Sequence, residues 1–345
     1  MEKGYFASCN SFDGFKSYFD RIFDSRNFDR IFVLKGGPGT GKSTLMKRLV
    51  KAFSKDSVNV EEFYCSSDIN SLDGVIIEND EKRVTILDGT APHERDAIVV
   101  GAIDEIVNLG ANLDYTWLEK YRDNILELSG QKSDAYKTAY SYLKCAEACN
   151  HEITKTIRSI FKHNSAFDFM RSFDFLDGYN QKNEETVRLI SSFSKDGYQR
   201  KIALKKDSTK AVKIGGNTHA ARILLNQINS YFPGKKTLFP YPLDTDFLDA
   251  LYYKDSDVLF IIDDNNPNIN TDDFLLANAL TNEKMRLMVQ AQNELLLEAK
   301  RWFGIASDFH FRLEEIYSRC MNFKKNDEVF DKICEKISKV CDIQL

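Results

Sequence analysis

A nine-residue segment at positions 36–44, GGPGTGKST, constrains the fold of this chain more than any other feature. It contains the pattern G-x-x-x-x-G-K-S and follows a short run of β-forming residues at positions 31–34. Apolar residues then recur at helical spacing, namely Leu45, Met46, Leu49, Val50 and Phe53. A strand, a glycine-rich loop and a helix in this order predict a phosphate-binding loop in an α/β domain.

The pattern predicts a nucleotide site because each residue type in it has a role in holding phosphate. Glycines let the backbone curl so that successive N–H groups point at phosphate oxygens, and the helix adds its positive N-terminus. Lys42 is expected to reach the β- and γ-phosphates, and Ser43 to offer its hydroxyl to Mg²⁺. The residues expected to bind the nucleotide are Gly36, Gly37, Pro38, Gly39, Thr40, Gly41, Lys42, Ser43 and Thr44.

A second strand that ends in a carboxylate is predicted beside this loop. Residues 84–88 read VTILD, and Asp88 is expected to hold Mg²⁺ through water. The next residue is Gly89, so the glutamate that often activates water directly after such an aspartate is missing. This departure leaves the identity of the general base open.

Four residues are candidates for the general base. Asp68 and Asp73 follow a predicted strand at residues 60–65, at the strand end where ligands bind in open α/β sheets. His93 and Glu94 are further candidates just after Asp88. Residues of these types are also typical of turns and helix caps, and that alternative stays open for each of them.

The second half of the sequence repeats the first at an offset of about 175 residues. Residues 259–267, LFIIDDNNP, correspond to residues 84–92, VTILDGTAP. The glycine-rich segment corresponds to residues 212–221, where Ala220 and Ala221 replace the lysine and serine that bind phosphate and metal. A period of this length indicates a duplicated domain.

The repeat predicts two α/β domains, each with a mostly parallel sheet flanked by helices. Residues 1–175 carry the intact loop, and residues 176–345 form a degenerate copy. Asp263 and Asp264 remain at the end of a predicted strand in that copy. They are interpreted either as a turn pair or as a second nucleotide or metal site that lacks the lysine.

Long helical segments are predicted in both halves. We expect a helical insertion over about residues 94–163, beginning with a helix at residues 98–109, and a second helical region over about residues 271–318. The apolar spacing at residues 15–23 predicts a further amphipathic helix. The long helices either pack the two domains together or present a surface to a protein partner or to a second copy of the chain.

Composition excludes several other classes of protein. The 345 residues include 47 Lys and Arg against 52 Asp and Glu, a net charge of −5, so nucleic acid is not an expected partner. No apolar run is long enough to span a bilayer, and the start of the chain does not read as a secretory signal. The 7 cysteines are an odd number and are typical of reduced thiols. A cytoplasmic protein that does not enter a membrane is expected.

The segments LKGGPGTGKSTLMKRL, FYCSSDINSLDGVII, ILDGTAPH and AIDEIVNLG resemble a family of bacterial tandem P-loop proteins of unassigned function. Members of this family are labelled ATPase or nucleotide kinase by analogy. The resemblance covers most of the chain and implies a tandem P-loop fold with nucleotide binding. Family members often keep a glycine loop in the second half, and this chain departs from that pattern.

These features predict a Mg²⁺-dependent nucleoside triphosphatase with one site in the first domain. ATP is expected rather than GTP, and the catalytic residues are expected to be Lys42, Asp88, Asp68 and Asp73. Arg83, Arg95, Arg222 or a residue from a second chain could supply a cation that stabilises the transition state. Two alternatives stay open: a kinase for a nucleotide or another small molecule, and a nucleotide-dependent switch or adaptor that binds a protein partner.

Overall fold

The computed structural model describes residues 3–55, 57–92, 94–173, 183–201, 210–276 and 283–344. Within these ranges the chain forms two units, each a mixed β-sheet flanked by helices. The predicted domain boundary near residue 175 lies outside the described residues, as do residues 277–282 of the second helical region.

The first unit contains eight described strands. They are β1 (Lys3–Phe6), β2 (Ser8–Ser11), β3 (Gly14–Ser17), β4 (Arg30–Lys35), β5 (Asn59–Tyr64), β6 (Leu72–Asn79), β7 (Lys82–Asp88) and β8 (Asp104–Asn108). Six of them form a sheet in the order β1-β5-β6-β7-β4-β8, and β2 and β3 form a separate hairpin. Strand β4, which leads into the glycine-rich loop, therefore lies between β7, which ends at Asp88, and the edge strand β8.

The second unit repeats this arrangement. Its described strands are β9 (Glu184–Val187), β10 (Ser191–Ser194), β11 (Gly197–Arg200), β12 (Lys210–Gly215), β13 (Lys235–Pro240), β14 (Leu248–Tyr253), β15 (Val258–Ile262) and β16 (Ile269–Asn270). The sheet order is β9-β13-β14-β15-β12-β16, and β10 pairs with β11. Each strand thus occupies the place of its counterpart in the first unit, which supports the repeat found in the sequence.

Both sheets are mixed rather than mostly parallel. In the first sheet, β6 runs antiparallel to β5 and β7, whereas β4 is parallel to β7 and β8. The second sheet has the same pattern around β14. The antiparallel strand arises because a tight turn at Asp80, with a φ of 51°, joins β6 to β7 in a hairpin.

Eight α-helices lie in the described residues. They are α1 (Phe19–Ile22), α2 (Lys42–Phe53), α3 (Tyr115–Glu119), α4 (Arg122–Ile160), α5 (His163–Met170), α6 (Thr218–Tyr231), α7 (Glu283–Arg319) and α8 (Phe323–Cys341). None of them combines the length and the apolar character that a bilayer crossing needs.

Two predicted helices are wrong. The segment 98–109 contains strand β8, because its backbone pairs with the open edge of β4 and this pairing outweighs local helical spacing. At residues 15–23 only α1 is helical, because Phe15 belongs to the hairpin strand β3. The helical insertion therefore begins at Tyr115 rather than near residue 94.

The C-terminal helices of the two units are exchanged. Helix α8 follows the second sheet in sequence, yet Ile333 and Ile337 of α8 pack in the core of the first sheet with Phe32 of β4. Reciprocally, α5 and the end of α4 follow the first sheet but pack in the core of the second, through Met170 and Ile157. One face of each sheet is thus covered by a helix of its own half, α2 or α6, together with helices from the other half of the chain.

Helices α4 and α7 form a long antiparallel pair between the units. The ring of Tyr136 lies 5.9 Å from that of Phe303, and Gln292 Nε2 donates to Asn150 Oδ1 at 3.2 Å. Residue numbers rise along α4 as they fall along α7, so the pair is antiparallel. This pair lies above the end of the first sheet that carries the glycine-rich loop.

Candidate functional site

The glycine-rich loop joins β4 to α2 and needs glycine at two positions. Gly39 and Gly41 have φ values of 72° and 87°, a left-handed conformation that residues with a Cβ rarely adopt. A Cβ on Gly39 would also lie 2.5 Å from the carbonyl oxygen of Glu314 on α7. Gly41 is the N-cap of α2 and has no side chain to cap the helix, so the first-turn amides of α2 are not capped by a side chain.

The Lys42 ammonium lies against the loop and close to Asp88. Its Nζ donates to the carbonyl oxygens of Gly36 and Gly37 at 2.7 and 3.0 Å and lies 3.6 Å from Asp88 Oδ2. The Lys42 and Asp88 side chains are only 11% and 14% exposed. Burial raises the pKa of Asp88, and the Lys42 charge opposes that rise. The two predicted catalytic side chains therefore meet at the floor of one site.

Ser43 lies beside the start of β6, the strand that carries Asp73. Ser43 Oγ accepts a hydrogen bond from the Leu72 amide at 2.9 Å. Asp73 follows Leu72 within β6, is 5% exposed, and lies near enough for its charge to raise the pKa of Asp88. The sequence placed Asp73 after a strand end, whereas the structure places it inside the sheet.

The remaining candidates for the general base differ in position. Asp68 lines the cavity above the loop, but its Oδ1 accepts from the Asn70 amide at 3.1 Å in a turn. Glu94 is exposed and is not among the residues that line the cavity. His93 lies outside the described residues. The geometry therefore brings Asp73, rather than Glu94, to Lys42 and Asp88.

A cavity of about 1020 Å³ opens above the loop. Its floor is the loop with Asp88, and its walls come from the connection between β5 and β6, from the start of β6, from α4 and from α7. The α4 wall presents Lys132, Ser133, Tyr136 and Tyr140, and the α7 wall presents Ser307, His310, Phe311, Glu314, Glu315 and Ser318. The volume is at the upper end of the range for small-molecule sites.

Glu314 brings a carboxylate from the second half of the chain to the glycine-rich loop. His310, whose Nε2 lies 3.5 Å from Glu314 Oε1, lowers the pKa of Glu314, and the Lys42 charge and the Gly39 amide lower it further. Helix α8 also contacts the loop, because Asn326 Nδ2 donates to the Thr40 carbonyl at 2.9 Å. Sequence analysis missed these residues, since no local pattern places them near the loop.

The predicted arginine candidates lie elsewhere. Arg95 is buried next to Ser25 and Asp104. Arg83 lies beside Glu78 and over the ring of Phe28. These partners place Arg95 and Arg83 away from the cavity. Arg222 belongs to the second unit. No arginine is among the described residues that line the cavity.

The loop of the second unit is filled by its own side chains. Asp264 Oδ1 accepts from the Gly216 amide at 2.9 Å, and Asp272 Oδ1 accepts from the Asn217 amide at 3.0 Å. The Asn217 side chain caps α6 by accepting from the Ala220 amide at 3.1 Å. Asp263 pairs with Lys213 at 3.0 Å. Helix α6 thus has the side-chain cap that α2 lacks, and two carboxylates of the second unit accept from the amides just before it. This arrangement favours the turn interpretation of Asp263 and Asp264.

A buried polar network occupies the position above the second loop. Arg222 Nη2 lies 3.2 Å from Asp249 Oδ1, and its guanidinium lies 3.4 Å from the centre of the Tyr241 ring. His219 Nδ1 lies 3.0 Å from Thr154 Oγ1 of α4, and burial lowers the pKa of His219 from 6.5 to about 4. His219 is the second residue of α6, the position that Ser43 holds in α2, so a neutral imidazole stands where the first unit has the Ser43 hydroxyl. The sequence alignment of Ala220 and Ala221 with Lys42 and Ser43 is therefore wrong by two residues.

Comparison with known proteins gives one partial match. Residues 15–75 match a family model described as Nephrocystin 3, N-terminal. The matched segment includes the glycine-rich loop and ends within β6, before Asp88. No curated protein and no solved structure matches the chain. The match covers well under half of the 345 residues and reports a local similarity around the loop.

Proposed function

We propose that the chain binds and hydrolyses a nucleoside triphosphate, ATP rather than GTP, with Mg²⁺ at the glycine-rich loop. One observation carries the proposal: Lys42, the uncapped first turn of α2 and Asp88 converge on the floor of a single cavity. In the second unit, α6 begins with Thr218 and His219 where α2 begins with Lys42 and Ser43, and side chains of the unit accept from the Gly216, Asn217 and Ala220 amides. The proposal therefore assigns one nucleotide to each chain.

In this proposal, the Lys42 ammonium leaves its two backbone carbonyl partners when nucleotide binds and donates to phosphate oxygens. The ammonium is held by two loop carbonyls, and these neutral acceptors are weaker partners than phosphate oxygens. A phosphate that reaches the Gly39 amide would also displace the Glu314 carboxylate. Lys42 would then stabilise the charge that builds up on the transferred phosphoryl group.

The side chains near Lys42 suit Mg²⁺. Ser43 offers a hydroxyl oxygen and Asp88 a carboxylate oxygen, which are the donors that this hard cation prefers. The described residues contain no group of three His, Cys, Asp or Glu side chains that could hold a metal ion by itself. Mg²⁺ commonly uses one or two protein oxygens together with substrate phosphates. When bound, it would offset the charge of the β- and γ-oxygens.

We assign the general base to Asp73 rather than to Asp68. Asp73 is buried beside Asp88, whereas Asp68 is engaged in a turn with the Asn70 amide. In this assignment, the Asp73 carboxylate accepts a proton from the attacking water. A carboxylate base commonly contributes a factor of about 10²–10⁴ to the rate.

The test is Mg²⁺-dependent phosphate release from ATP and from GTP, with wild-type protein and the Lys42→Ala variant. Removing a cation that stabilises the transition state should lower the rate at least about 100-fold. Lys47→Ala is the matched control, because Lys47 lies on the exposed side of α2. Equal rates in the wild type and in Lys42→Ala would refute the assignment of the active site.

A nucleotide-dependent switch is the second candidate function. Glu314 of α7 and Asn326 of α8 contact the loop although both follow the second sheet in sequence. Nucleotide binding at the loop would therefore act directly on helices that connect to the second unit. Tight binding of nucleotide with no phosphate release would favour the switch over the hydrolase.

A further inference from the structure

The charges that line the cavity are unbalanced. The side chains that can carry positive charge are Lys42, Lys132 and His310, whereas five carboxylates face the same space, namely Asp68, Asp73, Asp88, Glu314 and Glu315. Lys42 pairs with Asp88, and His310 pairs with Glu314. Lys132 has no ion-pair partner among the described residues.

Lys132 is also half-buried. Burial alone lowers its pKa, which means that no neighbouring charge offsets the cost of removing the ammonium from water. Lys137, five residues further along the same helix, is 74% exposed and pairs with Asp134 at 3.0 Å. The two lysines therefore differ in the way expected for a ligand-facing residue and a surface residue.

The helix pair places Lys132 across the cavity from the loop. Tyr136 lies beside Phe303, so one turn earlier on α4 Lys132 lies at the level of Ser307 on α7. Glu314, which contacts Gly39 of the loop, is seven residues beyond Ser307, or about 10 Å along the helix axis. A lysine has a flexible four-carbon stem that carries its charge well away from the backbone.

We propose that Lys132 contacts the terminal phosphate of the bound triphosphate and stabilises it during transfer. This inference rests on the proposed function. As the water oxygen bonds to the terminal phosphorus, the bond from that phosphorus to the bridging oxygen breaks, and the water proton passes to the base. The products are a nucleoside diphosphate and inorganic phosphate, and Lys132 stays protonated. Lys132 thus takes the role for which the sequence suggested Arg83, Arg95 or Arg222.

The test compares binding of the β,γ-imido analogue of ATP with binding of ADP, both with Mg²⁺. In Lys132→Ala the affinity for the analogue should fall at least about tenfold while the affinity for ADP changes less than about threefold, because only the triphosphate has the contacted group. Lys132→Arg should keep most of the preference for the triphosphate, and Lys137→Ala should bind both nucleotides as the wild type does. Hydrolysis by Lys132→Ala should fall about 100-fold or more.

The outcomes separate this inference from the proposed function. If the wild type binds neither nucleotide, the proposed function fails and the role of Lys132 fails with it. If the wild type binds both nucleotides and Lys132→Ala keeps an unchanged ratio of the two affinities, only the role of Lys132 is refuted. If Lys132→Ala has the same thermal unfolding midpoint as the wild type, a change in the ratio of the two affinities does not result from unfolding of the variant.

Discussion

Asp88→Asn should lower Mg²⁺-dependent phosphate release about 100-fold or more while the protein stays folded. The amide keeps the shape of the side chain but loses the negative charge that we assign to the metal and that faces Lys42 at 3.6 Å. The measurement is the phosphate release rate as a function of Mg²⁺ concentration. The variant should also require more Mg²⁺ for half-maximal rate, because a neutral amide oxygen binds the cation more weakly.

Stability provides an internal control for this variant. Burial raises the pKa of Asp88 in spite of the opposing charge of Lys42, and the charge of Asp73 adds to the rise, so the ionised carboxylate opposes folding, most strongly at pH above its pKa. Asparagine removes that cost, and we expect the free energy of unfolding at neutral pH to stay the same or to rise. Asp80→Asn, in the turn at the other end of β7, should change neither rate nor stability. Wild-type turnover in Asp88→Asn would contradict the assignment of the metal site.

Arg222→Ala should lower the free energy of unfolding by about 3–5 kcal/mol, the usual effect of removing one partner of a buried ion pair. Asp249 is 1% exposed and would lose the cation 3.2 Å away, although Ser191 and Tyr198 would still donate to its Oδ2. The contact with the Tyr241 ring would also be lost. Chemical denaturation of the wild type and of the variant measures the difference.

Two controls define what the Arg222→Ala result means. Arg301→Ala removes an exposed arginine that pairs with Glu298, and it should change the free energy of unfolding by less than about 0.5 kcal/mol. The double variant Arg222→Ala, Asp249→Ala should recover part of the loss, because no unpaired charge is left buried. A loss below about 1 kcal/mol in Arg222→Ala would show that this network is not structural.

The glycine-rich loop could be predicted because its geometry is encoded locally. The left-handed backbone at Gly39 and Gly41, the strand before them and the helix after them all follow from neighbouring residues. The position of Asp88 could be predicted for the same reason, since it ends a β-forming run. The repeat predicted two α/β units, and the strand order that the two sheets share supports it.

Residues that reach the loop from distant segments could not be predicted in this way. Glu314 contacts the loop, and Lys132 lines the cavity above it, only because α4 and α7 pair over the cavity. No spacing within either helix distinguishes a lysine that lines the cavity from a solvated one. The exchange of α5 and α8 between the units is likewise a property of tertiary packing. Strand β8 was missed because edge pairing with β4 outweighs local helical spacing.

The most direct test of the central claim is the number of nucleotides bound per chain, measured by calorimetric titration with the β,γ-imido analogue of ATP and Mg²⁺. We predict one site per chain in the wild type, none in Lys42→Ala, and one in a variant with Asp264→Ala in the second loop. Two sites in the wild type would contradict the conclusion that the second loop is filled by its own side chains. No binding in the wild type would contradict the proposed nucleotide site itself.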